Sequence, residues 1–257
     1  MREDPHGRRC AVLDIETGPN VDAMLCAEPR PNAEMDLAAL HRIKAAVVLT
    51  FDHVPGRSPQ NLRFERFDDQ LREQELISRL DRVLPDSIAG NRLITFNGRS
   101  WDIPFLLQRA AAAWCFAVPR LAAWGDATAD QHIDVMRRGG ARPGRGWSSL
   151  ADRAAAIGID MRLARGKSLR TPASIRRRCT ADVAATFLLY VAQEAVRRSD
   201  AMFYGASWLA LADTIRSDPA VRRDLGYLAD HPLLDGCRAL LGGAASHSAV
   251  SKSGLIA

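Results

Sequence analysis

The chain has 257 residues, 47% hydrophobic and 25% charged, with a formal net charge of +5. This is the composition of a soluble globular protein of one large or two small domains. No apolar run is long enough to span a bilayer, the N-terminal MREDPHGRRC has no apolar signal segment, and five scattered cysteines without a CxxC pair speak against a disulfide framework or a zinc site, so a reducing cytoplasm is the natural setting.

Residues 10–16 (CAVLDIE) are apolar and β-prone, with acids at the C-terminal end, and read as a buried strand. A Pro- and Asn-rich stretch and a short helix follow before residue 40. Residues 45–51 (AAVVLTF) form a second strand; after a turn at 55–59, the alternation of 62–67 gives a third. Leu71, Leu76, Ile77, Leu80, Val83 and Leu84 fall at helical spacing. Residues 92–96 are a fourth strand, 103–114 a helix, and 132–136 a short strand or a helix start. Gly and Pro make 138–146 a loop, and 149–157 a helix ending at Gly158. Over 174–198, Val183, Phe187, Val191 and Ala195 form one stripe, widened by Ala184, Leu188 and Ala192, which predicts an amphipathic core helix. Residues 203–241 carry two or three more helices, punctuated by Pro219 and Pro232. The Gly-, Ala- and Ser-rich segment 242–257 reads as a disordered tail. A strand meander followed by alternating helices and strands indicates an α/β fold.

The charge is uneven. Residues 137–178 hold 12 basic and two acidic side chains, a local net of +10, while the remainder of the chain is net −5. Such a segment is either the footprint of a phosphate-bearing partner or a solvated arginine face.

Three acidic positions stand out. Asp14 and Glu16, two apart on a strand, point to one face, where mutual repulsion and desolvation are costly unless a cation or arginine offsets them. Asp102 follows the strand end Asn97-Gly98 as the next helix begins; it either complements the helix dipole or serves a site. Asp182 lies beside the buried stripe of the long helix and is either exposed or recruited to a site.

In order and spacing the chain resembles the DEDD superfamily of 3′–5′ exonucleases. It is most similar to predicted exonucleases related to the proofreading domain of family-B DNA polymerases. The motifs that carry the resemblance are LDIETGPN (13–20), TFNGRSWDIPFLLQRA (95–110), HIDVM (132–136), SLADRAAAIGI (149–159) and CTADVAATFLLYV (179–191), over roughly residues 10–195. The resemblance implies a ribonuclease H-like α/β domain over 8–198, with a five-stranded mixed sheet flanked by helices. A C-terminal helical extension over 199–241 and the tail 242–257 follow. It also implies metal-dependent hydrolysis of phosphodiester bonds in single-stranded nucleic acid, DNA favoured, with no membrane role. Asp14, Glu16, Asp102 and Asp182 would be the catalytic carboxylates holding two Mg²⁺ or Mn²⁺ ions, Asp14 bridging both, Glu16 and Asp182 completing the first and Asp102 the second. Asn97, Arg177 and Arg178 would contact substrate. For His132 and Asp134 a structural hydrogen bond is the expected role, and Trp101 stands where the family usually has phenylalanine.

The chain departs from the family at one point. A tyrosine four residues before the last aspartate, or a histidine five before it, usually orients the nucleophilic water; here these positions hold Arg178 and Arg177. A guanidinium stays protonated and is no general base. On a helix Arg178 and Asp182 share a face and would pair, or Arg178 would grip a phosphate. An active nuclease, a catalytically weakened nucleic-acid-binding module and a merely structural acid cluster are the three readings. Phosphate-loop, HExxH and GxSxG motifs are absent.

Overall fold

The computed structural model describes residues 7–27, 38–54, 57–87, 90–138, 148–165 and 171–252. Strands β1 (Arg8–Pro19), β2 (His41–His53) and β3 (Gln60–Asp68) form an antiparallel meander; β4 (Arg92–Thr95) runs parallel to β1, and β5 (His132–Asp134) parallel to β4. The order β3-β2-β1-β4-β5 puts β1 at the centre. This is the expected α/β architecture, a five-stranded mixed sheet flanked by helices. The helices are α1 (Val21–Cys26), α2 (Glu73–Val83), α3 (Asp102–Ala112), α4 (Pro119–Gly125), α5 (Val135–Arg138), α6 (Leu150–Ala156), α7 (Arg162–Arg165), α8 (Pro172–Arg198), α9 (Ala201–Ser217), α10 (Pro219–Ala229) and α11 (Leu233–Lys252). Among the described residues no helix is long and apolar enough to cross a membrane.

The alternation of β1 sorts the two cores. Ala11, Leu13 and Ile15 pack with Leu76, Ile77 and Leu80 of α2 and Leu106 of α3. Cys10 and Val12 face the other way, into the core formed with α8. Side chains at every second position share a face, so Asp14 and Glu16 continue the Cys10–Val12 row toward α8. The sheet is thus covered on both sides, and its site-bearing strand lies in the middle.

Helix α8 differs from the amphipathic expectation. From Cys179 to Val191 every residue is buried, because α9 and α10 cover the side that the sheet does not. A helix enclosed on all sides shows no strong apolar stripe. Phe203, Trp208, Leu211, Val221 and Leu225 of α9 and α10 belong to the same core as Phe51 and Phe187, whose rings meet edge to face at 5.3 Å. Pro172 at the first turn and a Thr171–Ser174 capping box start α8; Ser199, at φ 54°, ends it.

Strands β1, β2 and β3 extend beyond their predicted ends because cross-strand pairing reaches into polar residues, whereas β4 and β5 end one and two residues short of theirs. Helices α4 and α7 were not expected from the sequence, although Pro119 at the first turn of α4 is a start signal. The segment 132–136 is a strand that runs straight into α5. Helix α11 enters the segment read as a tail and reaches Lys252; residues 253–257, like most of the loop 138–146 and Trp147, lie outside the described residues. The cysteines, all described, are free.

The turn from β4 to α3 sets the position of Asp102. Asn97 takes the left-handed conformation at φ 69°, and its carbonyl accepts from the N–H groups of Ser100 and Trp101. Its own N–H donates to Asp134 Oδ1 at 2.9 Å. The Gly98 carbonyl accepts from Ile103 N–H, and a Cβ on Gly98 would lie 2.5 Å from the Thr95 side chain. Thr95 is fully buried and bonded to His132 Nε2 at 2.9 Å, so it has little room to give. Gly98→Ala should therefore destabilise the protein by about 1–3 kcal/mol, read as a lowered urea midpoint; an unchanged midpoint would show that the turn yields freely.

Burial, with Arg99 and Arg137 adding, lowers the His132 pKa from 6.5 to about 3. The unfolded chain then takes up a proton that the folded chain refuses. The stability linked to this ring is intact above about pH 6.5 and falls as the pH drops toward about 3. Relative to His132→Gln, the wild type should lose roughly 1.4 kcal/mol per pH unit across that window. Urea midpoints of both proteins over a pH series measure this, and parallel profiles would contradict it.

Candidate metal centre

Asp14 and Glu16 reach the α8 side of the sheet from the C-terminal half of β1, just before the irregularity in β1–β2 pairing between Glu16 and Thr17. Asp182 projects from α8 and is 5% exposed. Ligand oxygens of Asp14, Glu16 and Asp182 all lie within 4.8 Å of one another. Asp102, the first residue of α3, is 3% exposed, which removes the reading of a solvated helix-dipole acid. Its carboxylate lies beside the main-chain N–H of Ile15, between the two β1 acids, and near enough to Asp14 to act on its ionisation. Three carboxylates from β1 and α8 thus meet, with the buried Asp102 of α3 near enough to act on Asp14.

Electrostatics follow from that crowding. Burial pushes the Asp14 carboxyl well above the usual carboxylate range, and Asp182, Asp102 and Glu16 push it further. Asp102 is raised from 3.8 to about 7, chiefly by burial, with Asp134 and Glu16 adding; its own N–H and that of Ile15 act against this. The Cys179 thiol donates to the Asp14 carbonyl at 3.2 Å and is itself pushed up, first by burial and then by Asp14. Without a cation, burial and like charge thus shift Asp14 and Asp102 toward their protonated forms.

Arg178 is the predicted substrate contact that joins the acids. Its Nε lies 2.7 Å from Glu16 Oε1 and 3.7 Å from Asp182 Oδ2. The pair with Asp182 expected from helical spacing is therefore the longer of the two. The Nε–H is not aimed at an acceptor, which makes this a charge contact rather than a directed hydrogen bond. Arg177, one residue earlier, turns away and donates to the Leu163 carbonyl at 2.9 Å. Arg176 pairs with Asp68 of β3. Asn97 shapes the β4–α3 turn through its backbone. His132 and Asp134 serve that turn as structural hydrogen-bond partners: Asp134 Oδ1 accepts from the N–H groups of Asn97 and Met136.

Among the described residues of the basic segment, several arginines are engaged rather than free. Arg138 pairs with Glu194 at 2.7 Å, Arg176 with Asp68 and Arg178 with Glu16, all acids outside that segment. Arg153 lies over the Phe96 ring and donates to the Val135 carbonyl. Two contacts escaped the sequence reading. Cys179 sits against the Asp14 backbone, and Trp101, noted there only for replacing a phenylalanine, is 36% exposed at the threshold of α3 and stacks on Phe105 with centroids 5.9 Å apart. The Trp101–Phe105 spacing of four on a helix was the available signal.

The donor set fits a divalent cation. All candidate ligands are carboxylate oxygens, the donors that Mg²⁺, Mn²⁺ and Ca²⁺ prefer. Asp14 Oδ2 is shut off from solvent and has no hydrogen-bond partner among the described residues, an arrangement suited to a ligand atom.

No family model matches the sequence, and no curated protein matches it. Among solved structures the chain is similar to the structure of the family B DNA polymerase from the hyperthermophilic archaeon Pyrobaculum calidifontis, with 15% identity and a TM-score of 0.45 over 87% of this chain. The chain spans 28% of the polymerase chain, and so distant a likeness decides nothing about activity.

Proposed function

We propose that the protein is a metal-dependent 3′–5′ exonuclease acting on single-stranded nucleic acid, DNA favoured. The observation that carries this is the convergence of Asp14, Glu16 and Asp182, with the buried Asp102 near enough to act on Asp14, an arrangement that an uncompensated acid cluster would not adopt. Asp14, Glu16 and Asp182 would hold one Mg²⁺ or Mn²⁺ ion, and Asp14 with Asp102 a second. When bound, such ions neutralise phosphate charge and lower the pKa of the attacking water. The chain's own part is positioning. The Asn97–Ile103 turn fixes Asp102, β1 fixes Asp14 and Glu16, and α8 fixes Asp182. Asn97 would contact the substrate from the rim, whereas Arg177, expected to do the same, is held on the Leu163 carbonyl away from the acids; the exposed Trp101 face offers a base a flat apolar surface.

No proton acceptor stands one helical turn before Asp182, and general-base assistance is typically worth 10²–10⁴-fold. The proposed enzyme is accordingly slow. The second reading is a nucleic-acid-binding module without turnover, and the Arg178–Glu16 contact favours it.

A nuclease assay on 5′-labelled single-stranded DNA and RNA, with Mn²⁺, Mg²⁺ or EDTA, separates the two. The expected result is a metal-dependent ladder that shortens from the 3′ end and is reduced about a hundredfold or more in Asp14→Asn. Binding without cleavage in every metal would select the second reading.

Functional acids also leave a mark on stability. A carboxyl whose folded pKa is raised penalises folding at pH above its unfolded value, and the penalty fades as the pH falls through the folded pKa. In EDTA near pH 8, Asp102→Asn should raise stability by about 2 kcal/mol, and the gain should vanish near pH 4. A destabilised Asp102→Asn at pH 8 would mark a structural acid instead.

A further inference from the structure

Arg178 lies where a cation shared by Glu16 and Asp182 would lie. Its Nε is 2.7 Å from Glu16 and 3.7 Å from Asp182, two of the three acids whose oxygens cluster within 4.8 Å. The neighbouring arginines are engaged elsewhere, Arg176 with Asp68 and Arg177 with the Leu163 carbonyl. The Arg178 side chain is 29% exposed overall, although its Nε, the atom against the acids, is buried. Among the described residues that Nε–H has no hydrogen-bond acceptor, so the contact rests on charge.

Four carboxylates carry four negative charges and two divalent ions four positive ones. Once the ions are bound, the Arg178 charge is surplus and is repelled by them. A phosphate restores the balance, and a guanidinium at the pocket edge is the group suited to receive it.

We infer that Arg178 is a built-in counter-ion that competes with the divalent metal for Glu16 and Asp182, and that a nucleotide phosphate draws it off the acids, so that metal and nucleotide bind cooperatively. The inference rests on the metal-nuclease reading of the same pocket. It makes the chain a poor metal binder until a phosphate arrives. By linkage the metal tightens nucleotide binding by the same factor.

The test is Mn²⁺ binding to the full chain, followed by electron paramagnetic resonance or calorimetry, with and without thymidine 5′-monophosphate. Wild type is compared with Arg178→Gln and Asp14→Asn, each checked for a cooperative thermal transition. Without nucleotide, Arg178→Gln should bind Mn²⁺ about tenfold or more tightly than wild type. The nucleotide should tighten Mn²⁺ binding about tenfold in wild type and clearly less in Arg178→Gln. Equal Mn²⁺ affinity in wild type and Arg178→Gln, with binding lost in Asp14→Asn, would overturn the role of Arg178 and leave the metal site standing. Absence of Mn²⁺ binding in all three proteins would overturn the metal reading itself. Should Arg178→Gln not fold, nucleotide-independent Mn²⁺ affinity in wild type overturns the inference, and about tenfold coupling lost on Arg178→Lys supports it.

Discussion

Carboxylate oxygens within 4.8 Å of one another repel by about 4 kcal/mol per charged pair at the effective dielectric of a protein site. Asp14, Glu16 and Asp182 are held at that spacing, and Asp102 adds to the repulsion from the α3 side. Such a group persists only if the surrounding structure prevents its members from moving apart, or if a proton or a cation relieves it. Both conditions leave traces here. The raised Asp14 and Asp102 pKa values are the proton's share of the relief, and Arg178 is a cation's.

What prevents the acids from separating is the enclosure of α8. The helix is buried from Cys179 to Val191 and is tied at both ends by charge. Arg176 is paired to Asp68 of β3. At the other end Glu194, 6% exposed, takes Arg138 at 2.7 Å and Arg198 at 3.0 Å, and Arg198 also meets His53 Nε2 at 3.1 Å. The lowered His53 pKa, about 4 and due mainly to burial, keeps that ring neutral and able to accept. Breaking one member of such a network leaves a buried charge unpaired, which costs more than the pair itself contributes. Arg66 extends the same logic to α10, bonding Asp224 at 3.0 Å and the Ala220 carbonyl. The C-terminal helices therefore act on the site at one remove, by fixing the helix that carries Asp182.

Much of this was legible in the sequence because it depends on short-range periodicity. The two-residue period of a strand put Asp14 and Glu16 on one face. The four-residue spacing of a helix put Arg178 and Asp182 together, and Asn97-Gly98 announced the turn that carries Asp102. What periodicity does not carry is which partner a long flexible side chain reaches. Arg178 favours Glu16, 162 residues away, over Asp182 on its own helix. Adjacent arginines, alike in sequence, part at 176, 177 and 178 because successive helix positions differ by about 100° in direction. The local charge of +10 likewise hides long-range pairing. Three of its arginines, Arg138, Arg176 and Arg178, meet Glu194, Asp68 and Glu16, and only the folded chain brings those acids near. The all-round burial of α8 was hidden because α9 and α10 supply the second covering layer.

An acid cluster on a surface loop could relieve its repulsion by backbone movement, and its affinity for metal would then include the cost of reassembling it. Here that cost is met in folding, so a cation would find the carboxylates already in place. The corollary is that adjustment falls to side chains at the pocket edge. Asp182 cannot retreat with a helix packed on every side, and Asp14 cannot leave the central strand of the sheet. Arg178 has a long stem and a side chain that is 29% exposed. Position 178 is thus where the chain can exchange the stability of an internal ion pair for the binding of an external cation, without disturbing the frame that holds the acids.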